Sequence, residues 1–63
     1  MFRIIDTKNY DTYHKYGTDW HTDYIIESDE KLSIDDVVEK CKASGVCQLE
    51  KTNNGYILKT VMY

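Results

Sequence analysis

The residues from Tyr13 to Tyr24 are the part of the chain whose side chains could do chemistry. These twelve residues contain four aromatic rings, two histidines and two aspartates. Imidazoles and carboxylates can hold a metal ion or move protons, whereas tyrosine and tryptophan rings can stack on bases or pack into a protein interface. The stretch therefore raises three alternatives: a metal site, a nucleic-acid-binding surface or a protein-binding surface.

A metal site would depend on His14 and His21. If Gly17-Thr18 forms a two-residue turn, the two histidines lie directly opposite each other, about 5 Å apart on one face. Asp19 or Asp23 could then supply a third ligand. A three-residue turn would instead separate the two imidazoles. We expect packing rather than metal binding, with His14 and His21 as the candidate ligands if a metal is held.

The two cysteines, Cys41 and Cys47, do not indicate a site of their own. Five residues separate them, which is wider than the spacing of structural zinc sites, and two cysteines are too few for a secreted disulfide framework. No local signature links a cysteine, histidine and aspartate as a nucleophilic site, and so short a chain has little room for a substrate pocket. We therefore expect a cytoplasmic protein with no cofactor and no enzymatic activity.

Direct nucleic-acid binding is opposed by charge. Proteins that bind single strands combine stacking rings with a cationic groove. Here the rings alternate with Asp11, Asp19 and Asp23, and Lys8 and Lys15 are the nearby cations. Because the carboxylates would repel phosphates, we expect no direct nucleic-acid contact.

A protein contact is the alternative that best fits these rings. Tyrosine and tryptophan provide large amphipathic contact areas at low entropic cost and are enriched at interface hot spots. We predict that Tyr10, Tyr13 and Tyr16 are partly exposed and bind a partner. The other rings are expected to lie in the core: Phe2, Trp20 and Tyr24.

The charged residues are concentrated in one run. The segment from Asp19 to Glu39 contains eight acids and a single lysine, while the whole chain has a net charge of −3. Such a run can simply solvate a surface, but a field of one sign also attracts an oppositely charged partner. We predict that these acids face a basic, nucleic-acid-binding protein: Asp19, Asp23, Glu27, Asp29, Glu30, Asp35, Asp36 and Glu39.

In its small size, acidity and tyrosine content, the chain resembles the small inhibitors that phages encode against host defence or transcription, including anti-CRISPR proteins and other nucleic-acid mimics. The resemblance covers the acidic run and the aromatic stretch and involves no shared motif. Seven lysines against one arginine, with many Ile, Asn and Tyr residues, also indicate a low-GC genome. The resemblance implies a phage or mobile-element protein that occludes a host nuclease or transcription component. Two alternatives remain, a homo-oligomeric assembly module and a small metal-binding domain.

The order of secondary structure indicates a single α+β domain over residues 1–63. Phe2–Asp6 predicts a first strand, and alternation from Tyr10 onward predicts a hairpin that turns at Gly17-Thr18. A helix and a second hairpin follow, so the expected order is β-β-β-α-β-β. We expect the helix to pack on one face of a small antiparallel sheet.

The helix is predicted to begin after Ser33. Ser33 and Asp36 form an aspartate version of the capping box, and the stripe of apolar side chains that follows includes Val37 and Cys41. Gly45 predicts its C-terminal stop.

The second hairpin is predicted to turn at Asn54-Gly55, which pairs Leu49 with Thr60 and Glu50 with Lys59. One face of the hairpin should then lie beneath the helix, and the other should be available to a second chain. We predict a possible homodimer through the C-terminal strand, with Val61 and Tyr63 on its outer face. The residues expected beneath the helix are Cys47, Leu49, Leu58 and Met62.

Overall fold

A computed structural model describes residues 1–62 of the chain. They form a sheet with the strand order β1-β2-β4-β3, in which all neighbours are antiparallel. The α+β class with one helix is confirmed, but the described residues contain four strands instead of the five predicted. The elements are β1 (Phe2–His14), β2 (Gly17–Ser28), α1 (Ile34–Cys41), β3 (Val46–Lys51) and β4 (Gly55–Met62).

β1 is one strand where two were predicted. Ile4 pairs with Ile26 and Asp6 with Ile25, so Ile5 is an extra residue that forms a bulge. The residues between the two predicted strands carry no glycine or proline, and Lys8 continues the ladder. A bulge absorbs the break in alternation without ending the strand.

The first hairpin turns two residues earlier than predicted, at Lys15-Tyr16. His14 pairs with Gly17, and the Tyr16 N–H donates to Nδ1 of His14 at 3.2 Å. Gly17 follows the turn with a φ of +143°, a conformation that glycine adopts without steric cost. Gly17 is therefore the first residue after the turn and not the first of its two central residues.

The helix begins as predicted and ends early. The Ser33 side chain accepts a hydrogen bond from the Asp36 N–H, and Asp36 accepts one from the Ser33 N–H. The helix ends at Cys41, and Lys42 takes the left-handed conformation at φ 54°, so the predicted stop at Gly45 is wrong. Within the described residues, no helix is both long enough and apolar enough to cross a membrane.

Gly45 has a different structural role. Its φ is +87°, and a Cβ there would lie 2.4 Å from the carbonyl oxygen of Val61. It allows the chain to enter β3 close against β4, which no other residue type could do without moving the strand.

The core lies between α1 and one face of the sheet, here called the front face; the opposite side is the open face. Four apolar residues are buried, and Phe2 and Tyr24 pack against them. Trp20, predicted as core, is 55% exposed, because the eight residues of α1 span only about 12 Å and end before reaching it. The buried set is Ile26, Val37, Tyr56 and Leu58.

The strands of the second hairpin are paired in a register that is shifted by two residues from the predicted one. Leu49 lies opposite Leu58, and the Thr52 N–H donates to the Gly55 carbonyl at 2.9 Å, so Asn53 and Asn54 form the turn. A shift of two residues preserves which side chains share a face, so Cys47, Leu49 and Leu58 still lie on the front face. Tyr63 lies outside the described residues.

Candidate protein interface

The end of the first hairpin extends past the rest of the sheet. Trp20 pairs with Met62, the last described residue of β4, so residues 12–19 form a two-stranded projection that we call the distal ribbon. Tyr13 and Tyr16 on this ribbon are 77% and 86% exposed. The prediction of exposed tyrosines is confirmed here, and also for Tyr10, at 44%.

An apolar patch continues from the ribbon onto the front face. We call it the front patch, and it consists of Tyr13, Trp20 and Met62. Trp20 and Met62 lie opposite each other, and Met62 is 51% exposed although the sequence placed it beneath the helix. A predicted helix that ended at Cys41 instead of near Gly45 would have left Met62 uncovered, and the patch could then have been predicted.

The two histidines are too far apart to share a metal ion. His21 lies opposite Tyr10 and His14 opposite Gly17, so four residues, or about 13 Å, separate their positions along the sheet. His14 Nδ1 accepts from the Tyr16 N–H, and its Nε2 lies 3.1 Å from Oδ1 of Asp19. Within residues 1–62, no group of three or more His, Cys, Asp or Glu side chains is arranged to hold a metal.

His21 belongs to an aromatic and polar cluster on the open face. Its ring stacks on Tyr10 with centroids 4.7 Å apart and planes 3° from parallel, and its Nε2 lies 2.7 Å from Oγ1 of Thr12. The Tyr10 hydroxyl donates to Asp23 at 3.4 Å. Desolvation, followed by the nearby Asp23 carboxylate, raises the pKa of Tyr10.

The acids of β2 lie on the open face, each close to a polar or cationic group. Asp19 contacts His14, Asp23 accepts from Tyr10, and Glu27 pairs with Arg3 at 3.1 Å. The fold therefore brings cations and donors from β1 beside acids that the sequence had left almost unopposed. Of the three carboxylates, Glu27 is the one paired with a permanent cation in the described residues.

Two further acids, Asp29 and Glu30, lie at the end of the molecule opposite the distal ribbon, here called the base. The amino group of Met1 lies 2.6 Å from Asp29 and 3.4 Å from Glu30. This hydrogen bond lowers the pKa of Asp29 and raises the pKa of the amino group. The Tyr56 hydroxyl donates to the Glu30 carbonyl at 3.0 Å and holds this loop in place.

An open cleft of about 820 Å³ lies at the base. Its lining includes three acidic residues, Glu27, Asp29 and Glu30, and two basic residues, Lys31 and Lys51. Its charge is therefore mixed.

The helix carries the other three acids of the run. Asp36 is engaged in the cap, and the hydrogen bonds from Ser33 lower the pKa of its carboxyl. Within residues 1–62, neither Asp35 nor Glu39 takes part in an ion pair. These acids lie across the sheet from those of β2, so the acidic run does not form one continuous surface.

The distal ribbon and the base are far apart. β2 is 12 residues long, which separates its ends by about 36 Å. The molecule measures 41 × 18 × 16 Å. Its accessible surface of 4631 Å² exceeds the roughly 4,200 Å² expected for a compact monomer of 7.4 kDa. A partner that contacts both regions would need an elongated surface.

The C-terminal strand is not at an edge of the sheet. β4 lies between β2 and β3 and pairs with both of them, so over residues 55–62 it has no free edge for main-chain pairing with a second copy. Within residues 1–62, the strands with a free edge are β1 and β3. A homodimer through the C-terminal strand therefore stays a prediction, and over residues 55–62 it would need a contact other than main-chain pairing.

No protein-family model matches the chain, and no curated protein or solved structure matches it.

Proposed function

We infer that the protein is a small protein-binding inhibitor or adaptor, of phage or mobile-element origin, that acts on a basic, nucleic-acid-binding protein of its host. The exposed aromatic surface of the distal ribbon carries this proposal. The two ribbon tyrosines are exposed by 77% and 86%, while only four apolar residues of the described chain are buried.

The rings are suited to anchoring a partner. Tyrosine and tryptophan side chains lose little conformational entropy on binding and often dominate binding energy. Tyr13, Tyr16 and Trp20 project from a hairpin whose strands are held by main-chain pairing, so they are presented in a defined arrangement. Exposed apolar surface of this kind is typical of an interaction site.

The acidic residues of α1 favour a binding partner with a basic surface. Asp35 and Glu39 make no ion pair within the described residues, and their charges remain available to attract a basic surface. The elongated shape of the molecule, 41 Å along its longest axis, is suited to lying along a groove that otherwise binds nucleic acid. Inhibition would then follow from occlusion of that groove.

Affinity capture from a low-GC Gram-positive lysate tests the aromatic contribution. The tagged wild type should retain a basic, nucleic-acid-binding protein that the Tyr13→Ala/Tyr16→Ala variant loses. The Tyr13→Phe/Tyr16→Phe variant is the matched control, because it keeps the rings and should keep the partner. Equal recovery by all three proteins would contradict an aromatic anchor.

The acidic contribution and the inhibition can be tested with the purified partner. The Asp35→Asn/Glu39→Gln variant should bind more weakly and with less dependence on salt, whereas Asp11→Asn on the distant β1 strand should change binding little. Asp36 is left intact because it caps the helix. Added wild-type protein should displace nucleic acid from the partner; undisturbed nucleic-acid binding would favour an adaptor over an inhibitor.

A further inference from the structure

β1 presents a long, open edge. It is 13 residues long, and only Phe2 within it is even partly buried. Its single neighbour in the sheet is β2, so its outer main-chain groups face away from the molecule. Beyond the bulge at Ile5, the stretch from Asp6 to His14 pairs regularly with β2 and contains no proline. By contrast, β3 at the other edge has six residues.

Alternate residues of β1 direct their N–H and C=O groups outward. His14 and Gly17 flank the two-residue turn, and such a pair exchanges hydrogen bonds within its own hairpin. The pattern then alternates along the strand, so four residues direct their main-chain groups at the edge: Thr7, Asn9, Asp11 and Tyr13. The Thr7 N–H already donates to Oδ1 of Asp6 at 2.8 Å, so Thr7 offers its carbonyl to the edge, and the other three residues offer both groups.

We propose that residues 6–14 of β1 pair antiparallel with the same residues of a second copy of this chain, around a two-fold axis at Tyr10. Tyr10 is the central residue of this nine-residue stretch. The register centred there is therefore the one in which the whole regular stretch pairs with itself. It joins two four-stranded sheets into one sheet through about six main-chain hydrogen bonds, because the Thr7 N–H of each copy is already donated to Asp6.

Polar side chains along β1 are compatible with this register. Asn9 lies opposite Asp11 of the second copy, so that an amide can donate to a carboxylate. Asp6 lies opposite His14 of the second copy, and within each chain Asp6 accepts from Thr7 and His14 contacts Asp19. No two residues of like charge are opposed. Moving the axis to Lys8 would instead place two lysines opposite each other, which is unfavourable.

The stack of Tyr10 on His21 supports the same axis. Their ring centroids are 4.7 Å apart and their planes are nearly parallel at 3°, and 4.7 Å matches the spacing of neighbouring strands in a sheet. Tyr10 lies on the edge strand and remains 44% exposed beside this stack. In this register, the Tyr10 of the second copy lies one strand spacing away from the Tyr10 of the first copy. The stack of rings therefore continues across the two-fold axis.

This contact is compatible with partner binding but does not depend on it. It uses the edge of β1, whereas Tyr16 at the turn and Trp20 on β2 remain exposed. A negative result for the host partner would therefore leave the proposed dimer standing, and a monomeric protein could still bind that partner.

Measurement of molar mass over a range of protein concentrations tests self-association. The wild type should approach twice its mass of 7.4 kDa as concentration rises. Asn9→Pro removes an outward N–H and keeps the main-chain pairing with β2, so it should raise the dissociation constant at least about tenfold. Asn9→Ala is the matched control, because both variants lose the amide opposite Asp11 and the bond from Thr22 Oγ1 but only Asn9→Ala keeps the N–H. Its dissociation constant should rise clearly less than that of Asn9→Pro. Circular dichroism of Asn9→Pro would verify that it is folded.

Disulfide cross-linking tests the register. Opposed residues at a two-fold axis can be linked when their Cα atoms are about 4.4–6.8 Å apart, so Tyr10→Cys should form a covalent dimer on oxidation. His14→Cys should not, because eight residues separate it from its copy across the axis. The wild type controls for Cys41 and Cys47.

Three results would overturn the proposal. A wild type that stays monomeric at all concentrations would exclude the dimer. A dimer unaffected by Asn9→Pro would exclude the β1 edge, and cross-linking of His14→Cys in preference to Tyr10→Cys would exclude the axis at Tyr10.

Discussion

Gly55 of β4 packs directly against the main chain of Ile26 on β2. A Cβ on Gly55 would lie 2.2 Å from the carbonyl oxygen of Ile26 and 2.7 Å from the nitrogen of Ser28. The sequence suggests a turn residue at this position, since glycine after asparagine is typical of a tight hairpin. In the structure, the absence of a side chain at Gly55 allows the two central strands, β2 and β4, to approach each other closely.

Gly55→Ala should therefore destabilise the protein by about 2–3 kcal/mol or more, because a methyl group there forces the two central strands apart. Gly17→Ala is the comparison, since a Cβ at that position meets nothing within 4 Å, although its φ of +143° still imposes some strain. Urea unfolding of both variants would measure the difference. An equal or smaller loss for Gly55→Ala would contradict the close packing.

Replacing the smaller residue Leu58 by alanine should destabilise the protein more than replacing the larger residue Trp20. Leu58 is fully buried and Trp20 is 55% exposed. We expect Leu58→Ala to cost about 2–5 kcal/mol through the cavity it leaves, and Trp20→Ala to cost about 1 kcal/mol or less. Thermal or urea unfolding would rank them. A larger loss for Trp20→Ala would place that ring in the core.

The capping box should make stability depend on pH. Hydrogen bonds from Ser33 hold the pKa of the Asp36 carboxyl below its ordinary value of 3.8 in the folded chain. The carboxylate therefore stabilises the folded state fully above this value, and the contribution is lost as the pH falls through the lowered pKa. The stability difference between wild type and Asp36→Asn should shrink as the pH is lowered below 3.8.

Unfolding of these two proteins at neutral and acidic pH would measure that difference. Asp35→Asn is the matched control, because Asp35 also lies in the first helical turn but does not cap Ser33. A difference that stays constant with pH would show that the Asp36 contribution does not come from its charge.

The stacked rings of Tyr10 and His21 should be energetically coupled. Replacing both by alanine should destabilise the protein by less than the sum of the two single replacements, because either one alone removes the stack. The cycle is best measured in the Asn9→Pro background, which keeps self-association out of the comparison. Strict additivity would show that the stack contributes no interaction energy.

The sequence alone was sufficient for those features that depend on local chemistry. Alternation and capping residues predicted the α+β class, the start of the helix at Ser33 and the two hairpins. The exposed tyrosines of the ribbon were also predictable, because residues close to a hairpin turn have few neighbours that could bury them. These features follow from residues within a few positions of each other.

The registers and the strand order were decided only by the tertiary structure. The first hairpin turns two residues before its predicted position and the second one residue before, because turn geometry depends on contacts such as the one between His14 and the Tyr16 N–H. Trp20 is exposed because α1 ends short of it, and the length of a helix relative to a sheet is not a local property.

The distribution of charge was likewise decided by the fold. The sequence determined that eight acids lie within one run, but alternate strand residues point to opposite faces, and the helix carries its own acids across the sheet. Pairing then placed Arg3 beside Glu27, residues that are far apart in the chain. Composition determined the charge of this protein, and long-range strand pairing decided where each charge is presented.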